Sequence, residues 1–158
     1  PNYDFCYKDK GLTPKGIEMV EEMERLGIVP DASHLSDKGF YDLVEKCKKP
    51  FIVTHSNSRS IKRQPRNLSN FCADCVGDEK VTQIKDLVSH IKHIKNVGGI
   101  DVISLGSDFD GIGNEVEVKD ASEMGKLAQA LEKEGFTIDE IEKIYYKNAL
   151  SFLIDTLK

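Results

Sequence analysis

No stretch of this chain approaches the roughly 18 apolar residues of a membrane-crossing helix, so no transmembrane helix is expected. Basic excess is missing too. Lys and Arg number 22 against 27 Asp and Glu, giving a net charge of −5 with both signs scattered. A nucleic-acid partner is not expected, because phosphate binding needs a basic face. Internal repeats and low-complexity tracts are absent. Cysteine is sparse: Cys6, Cys47, Cys72 and Cys75. Cys72 and Cys75 form a CxxC with no second pair, and it follows a loop rather than opening a helix after a strand. Ordinary thiols are the expectation there, since a zinc or redox role needs that missing context. The chain starts at Pro1, with no initiator Met and no secretory signal. A processed, trimmed or incompletely represented chain is expected, with a cytoplasmic location.

What remains is 158 residues, 39% apolar and 31% charged, as in one soluble globular domain covering residues 1–158. Three apolar runs end in metal-capable side chains. Gly27-Ile28-Val29-Pro30-Asp31-Ala32-Ser33 ends at His34, Pro50-Phe51-Ile52-Val53-Thr54 at His55, and Val102-Ile103-Ser104-Leu105-Gly106-Ser107 at Asp108. Each reads as a buried parallel strand. In α/β proteins the carboxyl edge of such strands collects ligands and catalytic residues. Two imidazoles and a carboxylate on one rim match the N and O preference of zinc and point to a hydrolytic metal site.

Helical signals lie between these runs. Thr13 and Pro14 suit the cap and first position of a helix whose inner face is Ile17, Val20, Met23 and Leu26. Glu18, Glu21, Glu22 and Glu24 supply its wet face, and Gly27 stops it. Ser36-Asp37-Lys38-Gly39 starts a second helix with the stripe Phe40, Leu43, Val44 and Cys47. The order is β-α-β, which requires a parallel sheet. From Ser56 to about Asp78 no element is convincing, and so long a structureless stretch is uncommon in a compact domain. Either this is a long active-site loop or sequence is missing after Asn70, and missing sequence is the favoured explanation. A helix from about Lys80 to Lys95 buries Val81, Ile84, Leu87, Val88, Ile91 and Ile94, with His90 and His93 as structural or surface residues. Residues Ala121 to Glu134 form another helix, burying Met124, Leu127, Ala128 and Leu131. Thr137 and Glu140 make a capping box for a last helix, which buries Ile141, Ile144, Tyr145, Ala149, Phe152 and Leu153.

His34 alone reads as a structural histidine. His55 repeats the arrangement on the next strand, and strands about 4.8 Å apart let both imidazoles reach one ion. Asp108 is the expected third ligand, with Asp110 in a turn or supporting role. Arg66 lies in the long loop. By itself it reads as a solvated arginine like Arg59 and Arg63, although a guanidinium there could clamp a carboxylate.

Several motifs taken together resemble the membrane (renal) dipeptidase family, the M19 metallopeptidases. They are Gly11-Leu12-Thr13-Pro14, Asp31-Ala32-Ser33-His34-Leu35-Ser36-Asp37-Lys38, Thr54-His55-Ser56-Asn57-Ser58-Arg59, Pro65-Arg66-Asn67-Leu68 and Gly106-Ser107-Asp108-Phe109-Asp110-Gly111. The resemblance implies an α/β fold, a (β/α)8 TIM-like barrel of the metal-dependent hydrolase type. Only its C-terminal half is represented, with an internal gap after Asn70. The family's His-x-Asp pair, its metal-bridging glutamate and a substrate-binding histidine would lie upstream of Pro1. The resemblance further implies a binuclear Zn2+ centre that hydrolyses dipeptides. His34 and His55 would ligate one ion. Asp108 would serve the other ion and proton transfer, and Arg66 would hold the substrate carboxylate. Family members often pair, so the resemblance also allows a homodimer. The competing expectations are another amidohydrolase-like barrel acting on a cyclic amide or lactone, and a non-catalytic metal-binding fragment.

Overall fold

Local capping chemistry sets the helix boundaries. In the computed structural model, which describes residues 10–56, 83–107, 109 and 116–157, α1 spans Pro14–Leu26 and starts where Thr13 Oγ1 accepts the Gly16 N–H at 3.1 Å. Helix α2 spans Asp37–Lys46, and Ser36 Oγ accepts the Gly39 N–H at 3.1 Å. Helix α3 spans Ile84–Gly98, α4 Met124–Lys133, α5 Ile138–Glu142 and α6 Asn148–Thr156. Among the described residues no helix is long and apolar enough to cross a membrane.

The chain divides into two compact units, Pro1–Asp74 with Phe152–Lys158, and Cys75–Ser151. In the first, Val20, Ala32 and Leu43 form the buried centre, with Leu12, Leu35, Phe40, Cys47, Phe51 and Val53 packed around it. Two side chains of this unit tie the chain before α1 to α2. Asp42 Oδ2 accepts the Leu12 N–H at 2.8 Å, and Ser36 Oγ donates to the Lys10 carbonyl at 2.7 Å. The predicted inner faces of α1 and α2 are only partly correct, since Leu26 and Val44 are exposed. Glu24, read from the sequence as wet, is buried. Its Oε1 accepts the Lys48 and Lys49 N–H groups at 2.7 and 2.8 Å, which offsets the cost of burying a carboxylate.

Gly27 closes α1 with φ 73°, and the Ile28 N–H returns to the Met23 carbonyl at 2.8 Å. A Cβ at Gly27 would meet nothing within 4 Å, so substitution there costs backbone conformation alone. Left-handed geometry costs an L-residue roughly 1–2 kcal/mol, partly offset by the less flexible unfolded chain. Gly27→Ala is therefore expected to lower unfolding stability by about 1 kcal/mol, read from the urea midpoint. A neutral result would mean that α1 ends differently in solution.

The three predicted strands are the main departure. The first two do pair in parallel across α2, keeping the predicted β-α-β order, but through a single bridge, Asp31 to Ile52. Ala32 N–H bonds Ile52 O at 2.8 Å and Ile52 N–H bonds Pro30 O at 3.0 Å. A parallel ladder would next join Thr54 N–H to Ala32 O. That carbonyl instead accepts the Leu35 N–H at 3.1 Å, and Thr54 N–H goes to Asp31 Oδ1 at 3.1 Å. A turn and a carboxylate thus stop the ladder. The predicted third strand, Val102 to Leu105, is not formed. Ile100–Val102 is a 3-10 turn, and Asn148 Nδ2 donates to the carbonyls of both Ile100 and Ile103 at 2.8 Å. No strand longer than a bridge occurs among the described residues, so the barrel inferred from the sequence is not visible in them.

The second unit has its own core of Val88, Ile91, Ile103, Leu127, Leu131, Phe136 and Ile144. The predicted capping box forms: Glu140 N–H donates to Thr137 Oγ1 at 3.2 Å, and Thr137 N–H to Glu140 Oε2 at 3.1 Å. Between α5 and α6, Lys143–Lys147 forms a π turn. The extra residue rotates the downstream side chains by about 100° relative to an unbroken α-helix. Ile144, within the π turn, is fully buried, whereas Leu153, predicted to face inward, is exposed.

Candidate metal centre

The bridge between the first two segments brings their last residues together. Ala32–Leu35 turns back on itself, with His34 in its third position at φ 74°. A type II turn requires positive φ at that position and usually takes glycine there. His34 is the described non-glycine residue with positive φ. Such a conformation costs energy, and an imidazole kept there despite that cost marks a functional candidate. Opposite it, His55 lies in the turn that follows the Ile52 bridge of its own segment. The two rings lie 4.6 Å apart, tilted by 58°, with Nε2 facing Nε2 at 2.5 Å. The two imidazoles named from the sequence are thus brought together.

Polar groups behind the pair form a continuous network. Thr54 Oγ1 lies 2.8 Å from His55 Nδ1 and 2.5 Å from Asp31 Oδ2. Asp31 Oδ1 accepts the N–H groups of Ser33 at 2.9 Å and Thr54 at 3.1 Å. Ser33 Oγ accepts the His55 N–H at 3.1 Å and lies 3.3 Å from Thr54 Oγ1. Burial pushes the Asp31 carboxyl upward, but the bonds from Thr54 and Ser33 outweigh that and hold it below the usual carboxylate range.

This donor set suits a divalent ion of the zinc type. Two imidazole Nε2 atoms converge, and one ring meets at Nδ1 the Thr54 hydroxyl, which the Asp31 carboxylate backs. Among the described residues no group of three or more His, Cys, Asp or Glu side chains could hold a metal. Two imidazoles are fewer than the four ligands usual for zinc. The predicted ligand Asp108, the predicted carboxylate clamp Arg66, and Cys72 with Cys75 lie outside the described residues. His90 is buried on α3. Sequence reasoning missed Asp31, Ser33 and Thr54 as supports. The available signal was a hydroxyl residue immediately before each histidine, with a carboxylate one turn upstream of the first.

The model of the family described as membrane dipeptidase, peptidase family M19, matches residues 1–156. Dipeptidase tcpJ of Claviceps purpurea is 29% identical over 161 residues, covering 90% of this chain and 38% of that protein. A metallopeptidase from Rhodobacter sphaeroides, solved with a phosphinate mimic of the dipeptide L-Ala-D-Ala, superposes with TM-score 0.80 at 26% identity. That match covers 93% of this chain and 48% of the other. The structure of dipeptidase AC, an M19 metallopeptidase, gives TM-score 0.84 at 26% identity over 94% of this chain and 50% of its own. The chain thus spans half or less of the length of each of these relatives.

Proposed function

Because the chain belongs to the membrane dipeptidase family, peptidase family M19, we propose that it is the C-terminal half of a (β/α)8-barrel zinc dipeptidase. The observation that carries this reading is the convergence of His34 and His55 Nε2 at the ends of two parallel-paired segments. In this reading His34 and His55 hold one ion of a binuclear Zn2+ centre, and residues preceding Pro1 complete the set. Bound zinc supplies Lewis acidity toward water and the peptide carbonyl. Asp108 contributes a ligand to the second ion. It also takes the proton of the attacking water and delivers it to the leaving amine. Arg66 pairs bidentately with the substrate's terminal carboxylate, which restricts substrates to short peptides with a free carboxylate near the scissile bond.

The test is a panel of dipeptides and lactones offered to the full-length protein, with metal content measured in parallel. Dipeptide hydrolysis that is lost on chelation and restored by Zn2+ is expected. Lactone hydrolysis alone, or no turnover by fully metal-loaded protein, would sink the reading.

A further inference from the structure

Resting on the metal-centre reading, we propose that Asp31, acting through the Thr54 hydroxyl, is a positioning residue that fixes His55 in its Nδ1–H form. The His55 Nε2 lone pair is thereby aimed at the point it shares with His34. Counting protons fixes the tautomer. Asp31 Oδ1 already receives two backbone N–H groups, and Oδ2 faces Thr54 Oγ1 at 2.5 Å. An ionised carboxylate only accepts. The single Thr54 hydroxyl proton therefore lies toward Asp31. Thr54 Oγ1 can then offer only lone pairs to His55 Nδ1, 2.8 Å away, so the ring proton sits on Nδ1. Ser33 completes the count. Its oxygen accepts the His55 N–H, and its own proton has two acceptors in reach, the Asp31 carboxylate and Thr54 Oγ1, so it does not need the Thr54 proton.

The Nε2 to Nε2 contact gives the arrangement its purpose. Two imidazole Nε2 atoms facing each other this closely need one proton or one cation between them. With His55 Nε2 held unprotonated, that role falls to a proton on His34 Nε2 or to an ion. In ordinary metal sites a carboxylate bonds the ring N–H directly. Here the carboxylate is one hydroxyl further away, because its other oxygen is occupied with ending the ladder.

The decisive variant is Asp31→Asn, which preserves the shape. Its carbonyl oxygen can keep the two backbone bonds, and its NH2 then faces Thr54 Oγ1 as a donor. The hydroxyl proton must turn toward His55 Nδ1, so the ring proton moves to Nε2. The readout is the long-range 1H–15N correlation pattern of His55 in metal-free, 15N-histidine-labelled full-length protein. The measurement is made at about pH 8, above the ordinary imidazole pKa of about 6.5. The unmodified protein should show Nδ1–H, Asp31→Asn should show Nε2–H, and Thr54→Ser should keep Nδ1–H. Thr54→Val, which removes the hydroxyl without touching the carboxylate, should lose the Nδ1–H preference and weaken Zn2+ binding by about 10–100-fold. It also serves as the test if Asp31→Asn does not fold. An Nε2–H pattern in the unmodified protein, or an unchanged pattern in Thr54→Val, overturns the relay. Zn2+ titration that leaves the His55 signals unmoved overturns the metal-centre reading, while the tautomer pattern still decides the relay.

Discussion

Replacing His55 with alanine in the full-length protein should remove one equivalent of zinc and cut dipeptide turnover by more than about 100-fold. That exceeds the 10–100-fold typical of losing a supporting partner, because in the proposed centre His55 is itself a ligand. His34→Ala should give the same result. The two Nε2 atoms meet at one point, so neither ring is a spare. The double variant should be little worse than either single one, as expected of groups that act as a unit. Alanine also relieves little of the turn strain at position 34, since it too carries a Cβ. A change in fold is controlled by circular dichroism. Unchanged zinc stoichiometry and turnover in both single variants would remove these residues from the site.

Leu43→Ala should destabilise the first unit by about 2–5 kcal/mol, the range for deleting a fully buried leucine. Leu43 is 2% exposed and packs with Val20 and Ala32, the latter two residues before His34. The surrounding wall includes Phe40 and Phe51 in edge-to-face contact at 5.9 Å. Rings locked in this way limit how far the cavity can collapse, which places the cost in the upper part of that range. Set against a typical total of 5–15 kcal/mol, it is a large fraction. Urea unfolding followed by far-ultraviolet circular dichroism measures it. A loss below about 1 kcal/mol would mean that Leu43 is not at the centre of a packed core. Leu43→Met, which roughly conserves volume, should cost less than about 1.5 kcal/mol.

The parts legible in the sequence were those decided locally. Thr13, Ser36 and Thr137 cap their helices as read, because a cap needs only a side-chain oxygen and an amide three residues on. The parallel pairing of the first two segments and the meeting of His34 with His55 were also legible, from repeated apolar runs ending in histidine. Strand length was not legible. It depends on which acceptor each amide finds, and Asp31, the Ala32–Leu35 turn and Asn148 capture groups that a ladder would use. The burial of Glu24 was hidden for the same reason, since its partners are amides 24 and 25 residues away. The apolar spacing encodes neither the π turn at Lys143–Lys147 nor the exposure of Leu153 beyond it. The support of His55 by Thr54 and Asp31 needed the turn to be known first. The roles of Asp108 and Arg66 rest on family resemblance, as both lie outside the described residues.

The left-handed turn at His34 also bears on how this chain can change over generations. Under drift limited only by stability, position 34 would move toward glycine or asparagine, the residues that occupy such a backbone at least cost. Either change would keep the turn and lose the imidazole. A lineage that no longer needed the ion would thus have an easy exit at this codon, with a fold as stable as before. Screening for thermostable variants without assaying metal or turnover would select the same change and return a sturdier protein with an empty function.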